Sequence, residues 1–215
     1  MRNWMIRRAF YIVVLWSFTI LSYGQTNNQA KALAQTVSKK YAGYSTLNSD
    51  FVLQLGGKTL QKGQVILDNK SGKYRINMQD QIILSDGKNQ WTVLDEVKEV
   101  QITEIPKDES GITPKNLFTF FTKGYQTALG AEEKLGNQTV QVLILTPTST
   151  TKSHTKIEMR IVKSNETIQQ VKVFEKNGDQ YVYSLPNQKP NQKNDPATFV
   201  FSKEAFPGYE IVDLR

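Results

Sequence analysis

The chain has 215 residues, 39% hydrophobic, 10% aromatic and 22% charged, which suits one substantial globular domain and not a disordered chain. It has no cysteine and one histidine, His154. That excludes disulfides, thiolate metal sites, a thiol nucleophile, a lipid-modified N-terminal cysteine and any two-imidazole zinc site. The formal net charge is +7, but the first 24 residues hold three arginines and no acid. Without them, 24 basic residues face 20 acidic ones, a net charge of +4 over 191 residues. So mild an excess makes no case for nucleic acid.

The first residues read as a secretory signal peptide. Arg2, Arg7 and Arg8 form a basic start, and Ala9 to Leu21 an apolar run of thirteen residues. That run is short for a membrane span. Ser22 and Gly24 put small residues at −3 and −1, so cleavage is expected before Gln25. This divides the chain into a signal peptide, 1–24, and a single domain, 25–215. An uncleaved N-terminal anchor is the alternative.

A helix is expected next. Ala30, Leu33, Ala34, Val37 and Tyr41 recur at helical spacing, and Gly43 suits its end. From Thr46 the pattern has period two. Leu47, Phe51, Leu53 and Leu55 alternate with polar residues, Gly56-Gly57-Lys58 turns the chain, and Leu60 to Leu67 returns. Further strands follow at Lys73 to Met78, Gln81 to Leu84, Gln90 to Leu94 and Val97 to Ile105, with Asp86-Gly87-Lys88 as a tight turn. Ile112 to Gly124 then carries helix punctuation: Thr113 as N-cap, Pro114 at the first position and Gly124 as the stop. Leu117, Phe118 and Phe121 share one face, with Phe120 beside them. They suit either a buried crossover helix or a lid whose inner face touches a ligand.

Strands resume at Val140 to Thr146, Lys156 to Lys163, Ile168 to Glu175 and Tyr181 to Leu185. Asn187 to Asp195 reads as a polar, mobile loop, Phe199 to Phe201 as a last short strand, and Pro207 to Arg215 as a tail. The fold class expected is mainly β with helices: one large curved antiparallel sheet of about eleven strands, too large to stay flat. Helices would cover its concave face.

Motifs of catalysis are missing. There is no Gly-Xaa-Ser-Xaa-Gly elbow, no phosphate-cradling glycine loop and no spaced carboxylate pair on an apolar floor. His154 lies in a hydroxyl-rich stretch and reads as a solvent-exposed loop residue. The pattern points away from an enzyme and toward a binding protein without a metal site. Its candidate ligand site is apolar and aromatic: Phe51, Leu53, Tyr74, Ile76, Trp91 and Val93 on one side of the sheet, with Leu117, Phe118 and Phe121 above.

Three stretches carry a resemblance to a known family. They are Lys62-Gly63-Gln64 with Lys73-Tyr74-Arg75-Ile76, then Ile83-Leu84-Ser85-Asp86-Gly87-Lys88-Asn89-Gln90-Trp91, then Phe199-Val200-Phe201 through Phe206-Pro207-Gly208-Tyr209-Glu210-Ile211-Val212-Asp213. In this order they resemble the LolA family of outer-membrane lipoprotein carriers. The resemblance implies an incomplete β-barrel with a helical lid in the periplasm of a Gram-negative bacterium. It implies a monomeric lipoprotein chaperone without cofactor. Acylated lipoproteins would be its cargo, received from an inner-membrane ABC-type transporter and passed to an outer-membrane acceptor. It also implies that a basic residue before the Lys73-Tyr74-Arg75-Ile76 strand latches the lid. Lys70 is the nearest match, and it reads equally as a solvated turn lysine lacking the guanidinium fork. Two other readings stay open: a lipid or glycolipid carrier or sensor domain of the same fold, and a secreted carbohydrate-binding module or hydrolase with Trp91 as a stacking platform.

Overall fold

A computed structural model describes residues 20–105 and 118–215, with side chains from Asn27 onward. Most of the expected signal peptide, and the Thr113-Pro114 start of the second helix with Leu117, lie outside the described residues.

Helix α1 (Ile20–Ala42) follows from its apolar stripe. Ala30, Ala34, Val37 and Tyr41 are buried, with Leu33 packed beside them. The stripe opens on small residues, Ala30 and Ala34, and ends on the large ring of Tyr41. The helix ends where the Gly43 N–H turns back to the Lys39 and Lys40 carbonyls.

Among the described residues, the strands form one open sheet of thirteen. They are β1 (Thr46–Leu55), β2 (Lys58–Asp68), β3 (Lys73–Met78), β4 (Gln81–Ser85), β5 (Asn89–Leu94), β6 (Glu99–Glu104), β7 (Tyr125–Leu135), β8 (Gln138–Pro147), β9 (His154–Val162), β10 (Ile168–Glu175), β11 (Gln180–Ser184), β12 (Lys189–Pro190) and β13 (Glu210–Asp213). Their order is β13-β6-β5-β4-β3-β2-β1-β11-β10-β9-β8-β7, with β12 on β1. Two antiparallel meanders thus join where β1 meets β11, and the sheet does not close. This is the incomplete barrel that the sequence led us to expect.

Four details differ from the expectation. β7 is a strand where none is expected, because Ala128, Gly130, Ala131 and the acidic pair Glu132-Glu133 blur the alternation. It is an edge strand with a register shift between Leu129 and Glu132, and α1 lies against it. β13 runs parallel to β6, so the expected tail is a strand. Phe199 to Phe201 is not a strand: a 3-10 turn over Pro196–Phe199, opened by the Asp195 carboxylate, occupies its start. The described end of the second helix is a 3-10 turn at Phe120–Thr122 and not an α-helix.

The loop expected to be mobile is tied down as a strap. Gln188 accepts from the Tyr41 hydroxyl at 2.5 Å and donates to the Ile168 carbonyl at 2.6 Å. Asn191 accepts from the Ser45 N–H at 2.9 Å. Asn194 and Asn48 exchange amide hydrogen bonds at 2.9 and 3.1 Å. β11 ends at Ser184, so the strap, through β12, pairs the first part of β1 that β11 leaves open. Asn and Gln serve here as ladder partners, which polarity alone does not reveal.

Apolar residues pack on both faces. The larger core lies on the concave face under α1 and includes Leu47, Val65, Leu67, Tyr74, Leu143, Leu145, Ile157, Met159, Ile161 and Phe121. A second core lies on the convex face of β4–β6. There Leu84, Val93 and Val100 pack with Ile82, Trp91, Phe201, Phe206 and Tyr209. The C-terminal arm supplies the last three.

Candidate functional site: an apolar cavity in the concave face

The concave face holds a cavity of about 720 Å³, within the usual span of small-molecule sites. Its wall runs across β1–β4 and β10–β11. Phe51, Leu53, Val65, Ile76, Met78 and Ile83 form one side, and Ile168, Val171, Val173, Tyr183 and Leu185 the other. Register explains the grouping. Phe51 faces Gly63, which faces Met78; Leu53 faces Tyr183, which faces Val171; Ile76 faces both Val65 and Ile83. Gly63 is required by close approach. A Cβ there would lie 2.0 Å from the Asn77 carbonyl oxygen and 3.1 Å from the Phe51 ring.

Phe118 and Phe120 also line the cavity. Phe118 stacks on Tyr41 of α1, centroids 4.5 Å apart and planes within 2°. Phe120 meets Tyr125 edge to face at 5.8 Å. Phe121 is buried in the main core and does not reach the cavity. Tyr41 anchors the stack: its hydroxyl accepts from the Ile168 N–H at 2.8 Å while it donates to Gln188. Burial pushes its phenol above the ordinary range, so it stays protonated as a donor.

Of the residues expected in the site, Phe51, Leu53, Ile76 and Phe118 are brought together. Tyr74 is concave but sits beyond the cavity in the core, its hydroxyl 2.7 Å from Gln90 Oε1. Trp91 and Val93 are elsewhere: they point to the convex face, where Trp91 stacks on Phe201 at 5.9 Å. The β4–β5 turn sets this parity. It pairs Ser85 with Gln90 and Ile83 with Thr92, which puts the even residues of β5 on the concave side. Leu117 lies outside the described residues.

His154 is corrected as well. It opens β9, is buried, and lines the cavity. Its Nε2 lies 2.9 Å from the Tyr125 hydroxyl, and the rings stack. Burial lowers its pKa, and the nearby Glu175 carboxylate opposes that in part. Polar flanks conceal a histidine that its strand register turns inward.

At the position where the resemblance implies a latch, Lys70 and its neighbour Asn69 make different contacts. Lys70 is exposed, and its backbone N–H donates to Asp68 Oδ1. The adjoining Asn69 makes the contact with α1: its Nδ2 donates to the Tyr41 carbonyl at 3.1 Å and to the Tyr44 carbonyl at 3.0 Å. The first is a carbonyl of the last helical turn, and the second lies two residues past the helix.

A family model described as outer membrane lipoprotein carrier protein LolA matches residues 43–202. The chain belongs to the LolA family. No curated protein matches it. Among solved structures, it is similar to an uncharacterized conserved protein from Thermus thermophilus, at 10% identity and TM-score 0.60, covering 86% of this chain and 99% of that one. It is also similar to a DUF1329 family protein from Desulfovibrio piger, at 14% identity and TM-score 0.50 over 84% and 99%. A LolA superfamily protein from Nitrosomonas europaea matches at 13% identity and TM-score 0.40 over 78% and 97%. At such identities the likeness to the first two is one of fold. Among the described residues of this LolA-family chain, no three acidic or histidine side chains are grouped to hold a metal, and no helix is long and apolar enough to cross a membrane.

Proposed function

We propose that this LolA-family chain is a periplasmic carrier that holds the acyl chains of lipoproteins in its concave cavity and ferries them from the inner to the outer membrane. An ABC-type transporter would load it, and an outer-membrane acceptor would unload it. The observation that carries the reading is an apolar cavity of about 720 Å³ lined in part by Phe118, which is itself stacked on the covering helix. An acyl chain of about fifteen methylenes gains on the order of 12 kcal/mol on leaving water. A cavity that bound it with all of that energy would not release it. Contacts of the empty state that cargo must displace, chiefly Phe118 on Tyr41, reduce the net affinity.

Binding of a fluorescent triacylated lipopeptide to the mature protein tests this. Phe118→Asp puts a carboxylate in the cavity and is expected to abolish binding; Phe118→Ala removes the competitor and is expected to raise affinity several-fold. Phe121→Asp is unsuited, because Phe121 does not line the cavity; Phe118 is buried in the same core, so circular dichroism must show that Phe118→Asp still folds. Wild-type protein that ignores the lipopeptide sinks the carrier reading. Protein that comes from the periplasm with diacyl lipid and no polypeptide turns it into a lipid carrier.

A further inference from the structure

The two ends of the cavity differ in chemistry. Antiparallel register sorts the wall residues by height. β1 starts, β2 ends, β3 starts, β9 ends and β10 starts at one end of the sheet, where Leu47, Leu67, Tyr74 and Ile161 are buried. The Tyr41–Phe118 stack and the Gln188 strap fill this end, so it is blind. The opposite ends of the same strands bring Gln61, Gln81, Ser153, His154 and Glu175 to the cavity, together with Lys152. Thr151 joins them, and among the described residues the rest of the lining is apolar apart from the Tyr183 hydroxyl.

This collar is built for hydrogen bonding. His154 spends Nε2 on Tyr125, which leaves Nδ1 as its second position. Ser153 brings a hydroxyl. Gln81 has only a long contact to the Met78 sulfur, 3.6 Å, on its Nε2. Gln61 is held by the Asp80 carboxylate at 3.0 Å. Lys152 and Glu175 contribute one charge of each sign, which balance.

Resting on the carrier reading, we infer that this collar is the head-group site of the bound amphiphile. It takes the ester carbonyls and amides next to the acyl chains, and the chains run inward toward Val65, Ile168 and Leu185. Cargo therefore enters methyl end first. The protein part of an acylated lipoprotein stays outside, beside the β8–β9 loop.

Two photoreactive diacylglyceryl lipopeptides test this on the mature protein, one with benzophenone on the peptide and one with a diazirine at the acyl terminus. Adducts are mapped by mass spectrometry. The head probe is expected to label Gln81 and residues 151–154, and the chain probe Val65, Ile168 and Leu185. The reverse pattern, or equal labelling of both ends by both probes, overturns the inference. No saturable labelling by either probe overturns the carrier reading itself. A benzophenone-headed phosphatidylglycerol that labels the same collar equally well upholds the head-group site and assigns its ligand to free lipid. In a second measurement, Gln81→Leu with Ser153→Ala is expected to weaken lipopeptide binding about tenfold. Binding of an alkyl fluorophore with neither ester nor amide should be unchanged. Equal losses for both ligands overturn the hydrogen-bonding role.

Discussion

Tyr41 shows how much can depend on one hydroxyl. It satisfies the buried Ile168 N–H, holds the strap through Gln188 and gives Phe118 a surface to stack on. Tyr41→Phe is expected to cost about 1–3 kcal/mol, because that N–H is left without a partner; urea unfolding measures it. Trp91 belongs to the other face. If the first 24 residues are cleaved, it is the only tryptophan. Its emission should stay constant on lipid loading and shift only on unfolding; a shift at saturating lipid would contradict its convex placement. His154 gives a pH signature. Its folded pKa is lowered, so the unfolded state binds the proton more readily. Its contribution is complete above the unfolded value, about 6.5, and is lost as pH falls from there toward the lowered one. The stability difference between wild type and His154→Gln should therefore shrink between pH 7.5 and pH 5.5.

At the scale of elements, the strands that alternate cleanly were legible and those that do not were misread. β1 and β9 bury one face, so Phe51, Leu53, Ile157 and Met159 declare themselves by period two. β5 carries apolar residues on the face opposite the cavity, because the C-terminal arm makes a second core there. Nothing within Gln90 to Leu94 tells which core Trp91 serves; the turn before it decides. β7 hides behind small residues at the edge, and the strap hides behind amides that pair with backbone instead of with water. The candidate site was legible only in part: Phe51, Leu53 and Ile76 line the cavity, Trp91 and Val93 serve the other face, and Tyr74 shares the face of Ile76 but sits past the end of the cavity, which alternation cannot tell. The β2–β3 turn offers a test of the latch. Asn69→Ala should speed amide exchange at the end of α1, because two carbonyl contacts are lost. Lys70→Ala should leave it unchanged.

The whole molecule is an open sheet whose edges, β7 and β13, never meet in the ladder. Openness lets one face carry α1 and a cavity while the other carries the C-terminal arm. The order of pairing has a consequence for time as well as space. Val52 pairs with Ser184, and Val100 with Ile211, residues separated by most of the chain. Such pairings make folding slow, and refolding from urea is expected on the order of seconds. On the export route that the proposed function requires, with the N-terminus leading, β1 and β6 are on the far side long before their partners arrive. The chain therefore stays unfolded, with its future cavity wall exposed, until the last strand is through. On that route the apolar cavity wall is most exposed before the protein is finished.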